Sequence, residues 1–178
     1  MLAAVALASL PGTEADAKVF YSRQEAIALA FPAADRVEKR TFILTPEQTE
    51  RIEERSRSPL ETKLVTLYTG WKDGRVQGYA HIDVHTVRTK PEGLMVVLDA
   101  AGKVRSLRVL AFHEPQDYLP TKRWYAQFDG KSLGDSLRLG RDVHGVAGAT
   151  LSARATTRGV RRALAYYEVL IRPQSQAG

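Results

Sequence analysis

Cysteine is absent from all 178 residues. That removes disulfides, iron–sulfur clusters, thiolate zinc sites, thiol nucleophiles and the covalent attachment of c-type haem. Beyond the first ten residues no apolar run is long enough to span a bilayer. Basic residues are spread along the chain and do not alternate with aromatics as in a nucleic-acid-binding motif. No serine sits in a nucleophile elbow, and the four histidines assemble into no triad that spacing reveals. If such a chain carries electrons, an organic cofactor or a haem bound without cysteine must hold them.

What is present describes one soluble globular domain's worth of chain, 44% hydrophobic and 26% charged. The apolar residues 2–10, the break at Pro11-Gly12 and the small-x-small triplet Ala15-Asp16-Ala17 read as a secretory signal over 1–17, with a mature start at Lys18. A periplasmic or otherwise exported protein with no membrane span in its mature chain is the expectation. The formal charge is +6; residues 1–17 carry Glu14 and Asp16 and no Lys or Arg, so the rest of the chain would be +8. Export excludes nucleic acid, which leaves phosphate ligands and an acidic protein partner for this basic surface.

Ser22-Arg23-Gln24-Glu25 is a capping box that opens a short helix stopped by Pro32. An extended stretch follows at Arg40–Leu44, and Thr45-Pro46-Glu47-Gln48 opens a second, polar helix to about Ser56, expected on the surface. These residues, 18–60, read as an N-terminal helical extension. From Glu61 the period changes to that of strands at Lys63–Tyr68, Val76–Val84, Leu94–Leu98 and Val104–Phe112, joined by turns at Lys72-Asp73-Gly74, Pro91-Glu92-Gly93 and Asp99–Gly102. In the second strand Val76, Gly78, Ala80, Ile82 and Val84 alternate with polar residues, which puts the apolar set inside. The fold class is therefore α+β: an antiparallel sheet of four or more strands packed against a long C-terminal helix, with residues 61–178 as the principal domain.

The helix that must cover the sheet follows Gly145-Val146-Ala147-Gly148-Ala149-Thr150-Leu151-Ser152. Val160, Ala163, Leu164, Tyr167, Leu170 and Ile171 form one apolar stripe, and Arg154, Arg158, Arg161 and Arg162 share the other side. A glycine-rich turn at a helix N-terminus offers unpaired N–H groups and the positive end of a dipole, the parts that hold a phosphate. The same residues can also be an ordinary loop with Thr150 as helix cap. Between sheet and helix runs a long loop containing His113-Glu114-Pro115 and Tyr118, a short helix near Thr121–Phe128, and a Gly/Ser-rich segment.

Over residues 61–171 this chain resembles the FMN-binding domain family, the flavin-carrying subunits of sodium-pumping NADH:quinone oxidoreductase and its ferredoxin-linked relatives. In that family a flavin transferase esterifies the FMN phosphate to the threonine of a motif that reads Asp, two variable residues, Ser or Thr, then Gly-Ala-Thr. Gly148-Ala149-Thr150 matches, but His144 stands at the Asp position and Ala147 at the Ser/Thr position. The resemblance implies an FMN-bearing electron-transfer protein rather than a stand-alone catalyst, with a membrane or periplasmic redox partner. Its site residues would be Gly148, Ala149, Thr150, Leu151 and Ser152 for the phosphate, with His113, Glu114 and Tyr118 near the ring.

Two other readings stay open. One is a flavin-free interaction module of the same fold, which the departures at His144 and Ala147 motivate. The other is a metal site, because His81, Asp83 and His85 lie on one face of a strand.

Overall fold

The computed structural model describes residues 18–175, so the expected signal segment lies outside the described residues. Six strands form one sheet: β1 (Lys18–Val19), β2 (Arg36–Ile43), β3 (Leu64–Lys72), β4 (Arg75–Thr86), β5 (Pro91–Asp99) and β6 (Val104–Phe112). Their order is β1-β6-β5-β4-β3-β2, and every neighbouring pair is antiparallel. The helices are α1 (Arg23–Ala30), α2 (Pro46–Ser56), α3 (Lys122–Tyr125) and α4 (Thr150–Tyr166), the last continuing through a π-helical segment, Tyr167–Ile171, into a final turn.

Both expected capping boxes form. The Glu25 N–H donates to Ser22 Oγ (3.2 Å) while the Ser22 N–H donates to Glu25 Oε2 (2.8 Å). The Gln48 N–H donates to Thr45 Oγ1 (3.2 Å) while the Thr45 N–H donates to Gln48 Oε1 (3.0 Å). Residues 18–60 also supply β1 and β2, both hydrogen-bonded into the sheet, so this segment is part of the same sheet and not a helical layer beside it. β2 is an almost wholly exposed edge strand, whose charges Arg36, Glu38, Lys39 and Arg40 guard against edge-to-edge pairing.

β5 explains why both sheet faces need a cover. All of Leu94–Leu98 is buried, no residue more than 3% exposed. Leu94, Val96 and Leu98 point into a large core under α4 and α2, whereas Met95 and Val97 join Ala26, Ala30 and Phe31 of the α1 segment on the opposite face. The apolar stripe of α4 is buried throughout, as its spacing requires. α2, expected on the surface, packs one side against α4 through Ile52, which is fully buried.

β4 corrects the sequence reading of which side faces in. Ala80 lies on the α1 side with Val84, which is 65% exposed, and the polar set Tyr79, Asp83 and His85 is buried. The polar face lies under α4: a Cβ at Gly159 would stand 2.6 Å from Asp83 Oδ2.

Candidate functional site

The N-terminus of α4 is built as an open donor site. The Ala149 N–H donates to Val146 O (3.1 Å), closing a tight turn in which Gly148 takes φ +77°, a conformation that favours glycine. Ala149 is the N-cap, and no side chain caps the helix. Thr150 is thus the first helical residue and not a cap, and it is exposed. The first intrahelical bond runs from the Ala153 N–H to Ala149 O (3.0 Å); the N–H groups of residues 150–152 precede it and have no helical acceptor. Ser152 is 1% exposed, and its hydroxyl has no hydrogen-bond partner.

These residues form one wall of a cleft of about 290 Å³. Gly148, Ala149, Thr150, Leu151 and Ser152 stand on one side, Glu114 and Tyr118 on another, and Val87 and Arg88 of the β4–β5 turn on the third. Seven of the eight residues expected at the site therefore come together. The eighth, His113, does not line the cleft; its Nδ1 lies 3.1 Å from Pro91 O, at the start of β5. Arg88 and Val87 were not legible as site residues, because only the folded hairpin brings their turn to the helix terminus.

Glu114 shapes the cleft more than it offers itself to a ligand. Its Oε1 accepts from the N–H groups of Arg88 (3.2 Å), Thr89 (2.7 Å) and Lys90 (2.9 Å). Burial pushes this carboxyl up, but the three N–H bonds outweigh burial and hold it below the ordinary carboxylate range. Arg88 is left as the exposed cation at the rim.

The motif departure at His144 is accommodated by backbone bonds. The His144 N–H donates to Gln127 Oε1 (2.7 Å), and its carbonyl accepts from Trp124 Nε1 (2.7 Å). Position 144 is thereby fixed whatever its side chain, and the loop that delivers Gly148 and Thr150 is tied to the buried Trp124.

The cluster His81, Asp83 and His85 on β4 is an ion-pair network and not a metal site. His85 Nδ1 lies 2.6 Å from Asp83 Oδ2, and its Nε2 lies 3.0 Å from Glu92 Oε2. Arg162 donates through Nε to Asp83 Oδ1 (2.9 Å) and through Nη2 to Asp83 Oδ2 (2.6 Å). His81 Nδ1 is paired with Thr66 O at 2.9 Å. Both nitrogens of His85 thus face carboxylates, which leaves no lone pair for a cation. Burial alone would drive the Asp83 carboxyl up, yet the His85 and Arg162 bonds hold it far below the usual carboxylate range. A second cleft of about 320 Å³ opens beside this network, lined by His81, Asp83, Arg162 and Tyr166, but Asp83 and Arg162 are already committed to each other. Among the described residues no group of three or more His, Asp or Glu is arranged to hold a metal ion.

The arginine face of α4 divides in two. Arg162 belongs to the network just described; Arg161, 5% exposed, donates to the carbonyls of Ser56 (2.9 Å), Arg55 (2.6 Å) and Ser136 (3.2 Å), closing the C-terminal end of α2. Arg154 and Arg158 alone remain exposed.

Comparison with known proteins places this geometry. A component of the ion-translocating oxidoreductase complex from two Pseudomonas aeruginosa strains, UCBPP-PA14 and PAO1, is in each case 35% identical to this chain over 101 residues, covering 48% of this chain and 47% of the relative. The chain spans about half the length of these curated relatives. The crystal structure of Shewanella oneidensis NqrC superposes with a TM-score of 0.58 at 13% identity, covering 89% of this chain and 91% of the other, which is a likeness of fold. The family model for the FMN-binding domain matches residues 89–165, a span that holds Glu114, Tyr118 and the whole of the Gly148–Ser152 wall. Over that span, the chain is similar to the FMN-binding domain family.

Proposed function

We propose that this protein is a flavoprotein electron carrier that holds the FMN phosphate at the N-terminus of α4. The observation that carries the reading is Ser152, a residue of the cleft wall whose hydroxyl is buried and unpartnered beside an uncapped helix terminus. A buried hydroxyl without a partner is costly, and a phosphate oxygen would supply one. The N–H groups of Thr150, Leu151 and Ser152 add donors and the helix dipole adds partial positive charge, with Arg88 as a counter-ion at the rim.

When bound, the flavin supplies the one- and two-electron redox chemistry; the protein supplies position and field. The Glu114 bonds to residues 88–90 hold the opposite wall in place, where Val87 and Tyr118 would offer a flavin ring an apolar and an aromatic surface. Thr150 is exposed and makes no capping bond, which suits it to a phosphoester with FMN formed with loss of water by a flavin transferase. We further propose export, with Lys18 as the mature start, and work as a redox subunit exchanging electrons with a larger assembly. The names of the Pseudomonas relatives, which place them in an ion-translocating oxidoreductase complex, support this reading.

Intact-mass spectrometry of denatured protein co-expressed with a flavin transferase tests it. A gain of one FMN less water that disappears in Thr150→Ala establishes the threonyl ester. Colour released on denaturation without a mass gain assigns a noncovalent carrier, and a colourless protein with no gain overturns the flavin reading.

A further inference from the structure

A third cleft, lined by cations, lies further along α4 and shares no residue with the cleft at Thr150. Arg154 and Arg158 follow Thr150 by four and eight residues, about 40° and 80° around the helix, and so continue its face one and two turns further on, yet neither lines the cleft at Thr150. With Arg57 and Arg138 they surround a shallow cleft of about 400 Å³ that has Arg161 in its wall and no Asp or Glu among its lining residues. Among the described residues none of the four outer guanidinium groups lies within 4.0 Å of a carboxylate. Asp142 is turned to other work: it accepts from the N–H groups of Leu137 and Arg138 at 2.8 Å each and pairs with Lys131 at 3.4 Å.

The backbone here is arranged at a cost. Of the three non-glycine residues with positive φ among the described residues, two line this cleft, Arg57 (φ 54°) and Leu137 (φ 45°). Arg57 is the left-handed C-cap of α2, a position that glycine fills without strain. An arginine there accepts backbone strain and adds a cation to the rim. Leu137 directly precedes Arg138, and the two Asp142 bonds hold that turn so that Arg138 stays at the cleft. Crowding is felt at the wall: burial lowers the proton affinity of Arg161, and the charges of Arg57 and Arg138 lower it further. Like charges held together on strained backbone suit an anion that relieves them.

We propose that this cleft is an anion site for a ligand bearing clustered phosphate groups. Planar guanidinium forks from two helices and a loop match adjacent phosphates, each accepting paired N–H bonds. The phosphates can come from a soluble diphosphate or from a lipid headgroup; the chemistry of the cleft is the same for both.

The test uses the whole chain loaded with FMN and freed of excess flavin, so that the donors at Thr150 are occupied and the anion read is the one held in this cleft. Calorimetry with pyrophosphate, and sedimentation with vesicles of phosphatidylcholine alone or mixed equally with phosphatidylglycerol, are run on three proteins matched for stability by thermal melting. These are the wild type, Arg154→Gln/Arg158→Gln, and the charge-matched control Lys63→Gln/Lys103→Gln, all four positions being exposed. Binding that weakens about tenfold or more in the arginine variant and survives in the lysine control supports the site. Pyrophosphate binding then assigns a soluble ligand, and binding to the mixed vesicles alone assigns a headgroup. Absence of both, or equal weakening in the lysine control, overturns the proposal, since the basic surface as a whole would then account for any attraction.

Discussion

His85 on β4 stands directly opposite Glu92 on β5, and its ring is held between two carboxylates, that of Glu92 at 3.0 Å and that of Asp83 at 2.6 Å. Burial on its own would push the imidazole down; the bonds to Asp83 and Glu92 outweigh it and raise the ring to about 9 from an ordinary value of 6.5. The folded state therefore binds this proton more tightly than the unfolded chain does. The resulting stabilisation is complete below pH 6.5 and is lost as pH rises through about 9. Unfolding free energy from urea titrations should fall across that window by on the order of 3 kcal/mol, with the decline absent in His85→Gln. A flat wild-type profile over the same window would contradict the doubly bonded ring.

Asp83 is also held by two of the Arg162 nitrogens, Nε and Nη2, and the two side chains are 6% and 12% exposed. Removing one partner strands the other's charge in a poorly solvated place. Asp83→Asn or Arg162→Met should each cost about 3–5 kcal/mol in urea unfolding. The double replacement Asp83→Leu/Arg162→Met should cost much less than the sum, because no lone charge remains. Additive losses in the double-mutant cycle would show that the pair does not act as a unit.

The same network marks where local sequence pattern stops being informative. Caps at Ser22 and Thr45, the apolar stripe of α4 and the meander from β3 to β6 each follow from residues near in sequence, and each is found in place. Alternation in β4 was legible too, but not which side is inside. The polar side can be buried because Arg162, 79 residues away, neutralises Asp83, and α1 shields only part of the apolar side. β2 was read only in part, since an exposed edge strand has no apolar period to display. At the candidate site, Thr150 and Ser152 were legible from the glycine-rich turn before a helix. Arg88 was not, because its arrival depends on the β4–β5 hairpin and on three N–H bonds to Glu114.

Gly159 is where α4 passes closest to this network. In most exposed helices Gly→Ala stabilises by roughly 0.5–1 kcal/mol. Here the added methyl would stand 2.6 Å from Asp83 Oδ2 and 3.3 Å from its Cγ. The carboxylate cannot yield freely, because His85 and Arg162 fix both its oxygens. Gly159→Ala should therefore destabilise by about 1–3 kcal/mol, the usual result of overpacking. A gain in the urea midpoint would mean that helix and strand separate more easily than this packing allows.

Ser152 separates binding from stability. Its hydroxyl is buried without a partner in the unliganded protein, so Ser152→Ala removes no intramolecular bond and should leave the urea midpoint within about 0.5 kcal/mol of wild type. A hydrogen bond to a charged phosphate is worth roughly 1.5–3 kcal/mol, so FMN affinity of the Thr150→Ala protein, which cannot form the ester, should drop a further tenfold or more when Ser152→Ala is added. Riboflavin, which lacks the phosphate, should bind both proteins alike. Fluorescence titration with the two flavins reads the difference directly. Equal loss for FMN and riboflavin would place Ser152 against the ring or ribityl chain, and unchanged FMN affinity would remove it from the phosphate site.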